Sequence, residues 1–143
     1  MTTVPPTGGA AEEGASSLSG TTFGFAEELV GNVPVLHLFG EVDLAAAPTL
    51  RDRLTALLEH PAATGRLGPL VVVDLAGVSF IDSTGLSVVV AAHARFDDIH
   101  GELRVAAAPE RVWRVLELTG LDRLLRTYAD VPSALADQGR TGS

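Results

Sequence analysis

The chain contains no cysteine, which removes disulfides, thiol nucleophiles and Cys-ligated metals together. Lysine is absent too, and all ten basic residues are arginine, so no G-x-x-x-x-G-K-[ST] phosphate loop exists. Aromatics are scarce: five Phe, one Trp and one Tyr leave Val, Leu and Ala to build the core. No apolar run reaches the ~18–20 residues that span a bilayer, and the N-terminus lacks the basic and apolar regions of a signal peptide. A cytoplasmic protein, with no membrane partner, is the expectation. Positive charge is also short. The net charge is −8 and no block of five or six basic residues occurs, so a nucleic-acid footprint is missing. An acidic surface serves simple solubility, and equally a more basic partner. A length of 143 residues implies one domain with tails.

What is present is organised around Leu70 to Leu86. The apolar, β-branched run Leu70 to Val73, closed by Asp74 and Leu75, reads as a strand buried on both faces of a parallel sheet. Gly77 breaks the pattern, and Val78, Phe80 and Ile81 then lead into Asp82-Ser83-Thr84-Gly85. Asp and Ser favour helix N-caps, because their side-chain oxygens accept from the first free N–H groups. Ser83 is therefore expected where a strand-side loop enters a helix, its hydroxyl near unpaired amides. The following segment, Leu86 to Phe96, carries three consecutive valines that favour a strand. Periodicity alone leaves helix and strand open there.

Upstream, Phe23 to Leu29 and Val33 to Gly40 are strand-like runs around Gly31-Asn32, which predicts a hairpin. Pro34 stands near the start of the second strand, where a missing N–H matters least. Pro48 opens a helix with Leu50, Leu54, Leu57 and Leu58 on one stripe. His60-Pro61 ends it, and Ala62 to Gly68 is a loop. Further on, Leu103 to Ala106 is a strand. Pro109 and Glu110 open a helix with Val112, Val115 and Leu116 inward, and Gly120 stops it. Leu124 to Tyr128 reads as a last strand and Val131 to Asp137 as a short final helix. Residues 1–20, rich in Thr, Pro, Gly, Ala and Ser, are expected to be a disordered tail. Residues 139–143 form a second tail, so the folded domain is 21–138.

Phe80-Ile81-Asp82-Ser83-Thr84-Gly85-Leu86 resembles the D-S-[ST]-G-L signature of anti-sigma factor antagonists, the single-domain STAS proteins of bacteria. Gly40-Glu41-Val42-Asp43-Leu44 is similar to that family's G-E-[LVI]-D-L motif, and Leu116 to Leu121 to its L-x-x-T-G-L segment. The resemblance runs from about Phe23 to Asp137. It implies that Leu86 to Phe96 is a helix, which gives the order β-β-α-β-α-β-α-β-α. That order requires an α/β, STAS-like fold with a mixed, mostly parallel sheet of about five strands and four helices. The resemblance also implies a role in transcription regulation by partner switching. The unphosphorylated chain would bind an anti-sigma factor that is itself a serine kinase, and so release a sigma factor. Phosphorylation at Ser83 would switch binding off, and a PP2C-type phosphatase would reverse it. The implied partner-binding set is Glu41, Asp43, Asp82, Ser83, Thr84, Gly85 and Leu86. ATP–Mg²⁺ would sit in the kinase, so this chain needs no cofactor. Where the family often has a threonine cap this chain has Ala46, a loss of about 0.5–2 kcal/mol of local stability.

The residues also have readings of their own. Catalysis by Ser83 in a G-x-S-x-G elbow fails at Ile81. The histidines His37, His60, His93 and His100 form no H-x-x-x-H pair, so neither a catalytic base nor a metal site is expected and the chain is not an enzyme. Ser83 could be a plain N-cap, Asp82 a cap or an interface residue, and Glu41 and Asp43 simple strand ends. Thr84 could compete as phosphate acceptor, Gly85 suits close backbone approach, and Trp113 is either packing or a contact. A phosphoryl group adds about −1.5 to −2 charge. The helix dipole favours it by ~0.3–1 kcal/mol while Asp82 opposes it, so the fold should change little. Buried at an interface, the same anion costs several kcal/mol. The alternatives are a non-switching STAS interaction module in a larger signalling or lipid-transport assembly, and a small-ligand or nucleotide-binding domain.

Overall fold

The computed structural model describes residues 23–60 and 68–137. The expected tails at 1–20 and 139–143, and the 62–67 part of the expected loop, lie outside these residues. Strands β1 (Phe23–Val30) and β2 (Val33–Val42) form the antiparallel hairpin, with Val30 opposite Val33. Gly31 and Asn32 both adopt positive φ, 57° and 72°, as a two-residue primed turn demands. Pro34 precedes the pairing of β2 with β3, which begins at Val35 and Val72.

Helix α1 (Ala47–Glu59) buries Leu50 and Leu54, and Ala46 gives it no side-chain cap. Asp43 compensates in part. Its Oδ1 accepts from the Ala46 N–H at 3.1 Å, and its carbonyl accepts from Ala46 and Ala47 at 3.0 Å each. Asp43 thus satisfies the N–H groups of Ala46 and Ala47 at the entrance of the helix, not the Thr49 N–H that a hydroxyl at position 46 would reach.

Strand β3 (Leu70–Ile81) runs through Gly77 without a break, which corrects the expected interruption. Gly77 instead makes room for the Phe39 ring: a Cβ there would lie 2.6 Å from Phe39 Cδ1. Register shifts between His37 and Phe39 and between Gly40 and Glu41 absorb the irregularity on the β2 side. Helix α2 (Ser83–Asp98) includes the three valines, with Val89 buried and Val88 and Val90 half-buried. Tertiary burial overrides their strand propensity.

After β4 (Glu102–Ala106), α3 (Glu110–Thr119) ends at Gly120 in the left-handed region, φ 78°. A one-turn helix α4 (Leu121–Leu124) follows, so β5 is only Arg126–Tyr128 and the helices number five among the described residues, not four. The reason is local. Leu121 and Leu125 pack on the core four residues apart, Leu124 stays exposed, and the Leu125 N–H donates to Leu121 O at 2.9 Å. That is helical spacing where alternation was expected. Helix α5 (Val131–Ala136) closes the described chain.

The sheet order is β1-β2-β3-β4-β5, antiparallel in the first pair and parallel in the rest. Leu36, Leu38, Val71, Val73 and Leu103 face α1, α2 and α3, which contribute Leu50, Leu54, Val89, Phe96, Val112 and Leu116. On the opposite face α5 lays Ala134 against Val35, Val72 and Ala106.

Candidate functional site

The carboxyl ends of β2 and β3 lie side by side, Val42 opposite Ile81, so the loop after β2 meets the start of α2. The Asp82 N–H donates to Val42 O at 3.2 Å and ties the two together. Asp82 is the N-cap of α2, its Oδ1 accepting from the Gly85 N–H at 2.9 Å. Ser83 is the first helical residue and is exposed. The aspartate therefore does the capping. The serine carbonyl accepts from Ser87 Oγ at 2.8 Å, while its own hydroxyl has no partner among the described residues.

Gly85 and Leu86 are buried and set the platform beneath this loop. A Cβ on Gly85 would lie 2.4 Å from Val42 O, so only glycine lets the helix start so close to β2. Thr84, Glu41 and Asp43 are half-buried. Asp43 is already engaged with Ala46, and Glu41 stands opposite Phe80 in the register. The structure thus gathers all seven expected residues at one end of the sheet, five at the start of α2 and two at the end of β2. Three carboxylates (Glu41, Asp43 and Asp82) give that end an acidic character.

Apolar neighbours were not singled out from the sequence. Leu44, 72% exposed, follows Asp43, and Phe80, 45% exposed, precedes Asp82 by two residues. Alternation would place Phe80 on the same face as Val78. The register shift between Gly40 and Glu41 leaves Ser79 unpaired and turns Phe80 outward. Neither Phe80 nor Leu44 carried a signal in the sequence. Leu118 and Leu29 are also exposed, at 81% and 61%, so what sets Leu44 and Phe80 apart is their place beside the Ser83 loop.

The histidines lie elsewhere. His37 bridges two carboxylates on neighbouring strands, Nδ1 2.6 Å from Asp74 Oδ2 and Nε2 2.7 Å from Glu28 Oε2. Its bond to Asp74 raises its pKa above the ordinary value against the opposing effect of burial, and Glu28 adds to the rise. Trp113 is half-buried on α3 and packs against the core. Among the described residues no group of three His, Asp or Glu is placed to hold a metal, and no helix is long and apolar enough to cross a membrane.

Comparison with known proteins agrees with this geometry. Residues 26–134 match the STAS domain family. The chain is 32% identical over 90 residues to the anti-sigma-B factor antagonist of Bacillus subtilis, spanning 63% of this chain and 76% of that one. The crystal structure of an anti-sigma factor antagonist from Mycobacterium paratuberculosis is similar, with a TM-score of 0.68 and 28% identity, over 79% of this chain and 91% of that one. Unphosphorylated SpoIIAA shares the fold, with a TM-score of 0.63 and 23% identity over 78% and 92% of the two chains. By family pattern, by sequence relatives and by fold alike, the chain belongs to the STAS domain family.

Proposed function

We propose that this chain is an anti-sigma factor antagonist whose grip on its partner is switched by phosphorylation of Ser83. The observation that carries the reading is the division of labour at the start of α2. Asp82 takes the cap, and Ser83 is exposed with its hydroxyl unpartnered among the described residues, where a second protein's active site can reach it. The partner is an anti-sigma factor with serine kinase activity, met in the cytoplasm and carrying its own ATP–Mg²⁺. It transfers the γ-phosphoryl group of ATP to Ser83 Oγ, the hydroxyl proton is lost and ADP leaves. A PP2C-type phosphatase hydrolyses the ester, returning the hydroxyl and inorganic phosphate. This chain is substrate and ligand throughout, with no catalytic residue of its own.

The physics favours a switch of binding over a switch of fold. At the first helical position the dipole attracts the phosphate by ~0.3–1 kcal/mol, and the Asp82 carboxylate opposes it. In the complex the same dianion falls among Asp82, Glu41, Asp43 and the exposed Leu44 and Phe80, where an uncompensated buried charge costs several kcal/mol. Each 1.4 kcal/mol is about tenfold in affinity. The set Glu41, Asp43, Asp82, Ser83 and Thr84 forms the contact surface, and Gly85 and Leu86 hold it in place.

The test is titration of the cognate anti-sigma kinase with unmodified protein, phosphorylated protein and Ser83→Ala. Unmodified protein and Ser83→Ala should bind alike, and the phosphorylated form at least tenfold more weakly. Intact mass after incubation with kinase and ATP should rise by one phosphate in the wild type and by none in Ser83→Ala. Equal affinity of all three forms rejects the switch. A wild type that binds yet takes up no phosphate favours a non-switching interaction module.

A further inference from the structure

Between α1 and α2 runs a groove of about 310 Å³, floored by Ala47, Leu54, Val88 and Ala92 and bordered by Arg51 and Arg95. One end reaches Thr84 and Ser87, so the groove continues directly from the Ser83 loop. Among the six other described arginines, Arg53, Arg104, Arg114 and Arg126 each meet a glutamate, and Arg111 and Arg123 lie outside the groove. Arg51 is exposed and engages no carboxylate among the described residues, and Arg95 donates only to Thr55 Oγ1, at 2.9 Å. On a chain of net charge −8, two cations that meet no carboxylate among the described residues and flank one apolar groove form a local reversal of sign.

The size limits the occupant. About 310 Å³ lies at the bottom of the ~300–1,000 Å³ range of small-molecule sites, and the floor carries no converging polar anchors. It suits a large apolar side chain from another protein. Guanidinium groups are the donors best matched to carboxylates. We propose that the groove docks an acidic segment of the anti-sigma partner, with one large apolar residue seated over Leu54, Val88 and Ala92 and carboxylates reaching Arg51 and Arg95. The identity of that partner rests on the function proposed above. The footprint is then two-signed. The Ser83 loop, with Glu41, Asp43 and Asp82, asks for basic groups on the partner, and the adjoining groove asks for acidic ones. Such alternation fixes the register of docking and rejects partners with a uniformly charged surface.

The experiment is titration of the cognate anti-sigma factor with wild type, Arg51→Glu, Arg95→Glu and Arg123→Glu at low and high salt. Arg123 is exposed on α4 outside the groove, so its variant carries the same charge change without touching the groove. Arg51→Glu and Arg95→Glu should each weaken binding at least tenfold at low salt, with a smaller loss at high salt, and Arg123→Glu should match the wild type. Arg51 is exposed, so its variant folds and decides the matter even where loss of the Thr55 bond unfolds Arg95→Glu. Wild-type affinity in Arg51→Glu overturns the groove and leaves the Ser83 reading standing. An equal loss in Arg123→Glu also overturns it, because net charge alone then explains the effect. A wild type that captures no anti-sigma factor, phosphorylated or not, overturns both.

Discussion

A Cβ added to Gly85 would sit 2.4 Å from the Val42 carbonyl oxygen and 2.8 Å from Val42 Cγ1, closer than side chains pack. Neither neighbour can yield cheaply. The Val42 oxygen already accepts the Asp82 N–H, and Val42 is wholly buried. Gly85→Ala therefore pushes the first turn of α2 away from β2 and carries Ser83 with it. The expected cost is ~1–3 kcal/mol, the usual range for overpacking, read as a lower urea midpoint. Phosphorylation by the kinase should slow in the same variant. Unchanged stability would show that the first turn rides more loosely on β2 than its contacts imply. Gly120 differs, because its positive φ of 78° demands glycine although nothing lies within 4 Å of the added atom.

At the scale of elements, α5 is held to the sheet by a cation. Arg104 is fully buried on β4, its Nε and Nη2 at 2.9 and 2.8 Å from Glu102 Oε1. Nη1 donates to the carbonyls of Ala134 and Asp137 at 2.6 and 3.1 Å, at the C-terminal end of α5 where the helix dipole favours positive charge. The guanidinium lies 5.8 Å from the Tyr128 ring centroid, and the Tyr128 hydroxyl bonds the Asp137 carboxylate. Arg104→Met removes the nearer guanidinium from Glu102, leaving Arg126 at 3.8 Å, and takes the donor from the Ala134 and Asp137 carbonyls. This should cost ~3–5 kcal/mol in urea unfolding, as removing one partner of a buried pair does. Adding Glu102→Gln to it should recover part of that loss, and no recovery would place the cost in packing alone. The sequence showed Arg104 only as a strand residue, because the carbonyls through which it holds α5, those of Ala134 and Asp137, lie 30 and 33 positions downstream. The hairpin was legible, since Gly31-Asn32 is itself the turn chemistry, and so was α1, from its leucine stripe. Helix α2 was not legible from its valines and rested on the resemblance of Asp82 to Leu86. The short α4 was missed although Leu121, Leu124 and Leu125 stand at i, i+3 and i+4, because the helix is four residues long and begins directly after the stop at Gly120. The site residues were legible as a motif, and the division of capping and exposure between Asp82 and Ser83 was not.

Across the whole domain, stability should depend on pH through the bridge that His37 makes between β1 and β3. For His37 the bond to Asp74, set against burial and helped by Glu28, holds the imidazole above its ordinary 6.5. Stability from its protonation is fully present below 6.5 and fades as pH rises through the raised value. Burial pushes the Asp74 carboxyl up, but its bonds from His37 and the Ala76 N–H bring it to a net position below the ordinary 3.8. Its contribution is present above 3.8 and is lost as pH falls through that lowered value. The bridge thus works between these two limits. Glu28, with its side chain 46% exposed, adds little because solvent screens it. Tyr128 stays protonated at pH 9, its hydroxyl raised above 10 by burial and by its bond to Asp137. Urea midpoints measured at pH 6 and pH 9 should fall more in the wild type than in His37→Gln, so that the gap between them is widest at pH 6. The subtraction removes what the other histidines contribute. An equal gap at both pH values would mean that the proton on His37 contributes nothing to the joining of β1, β2 and β3.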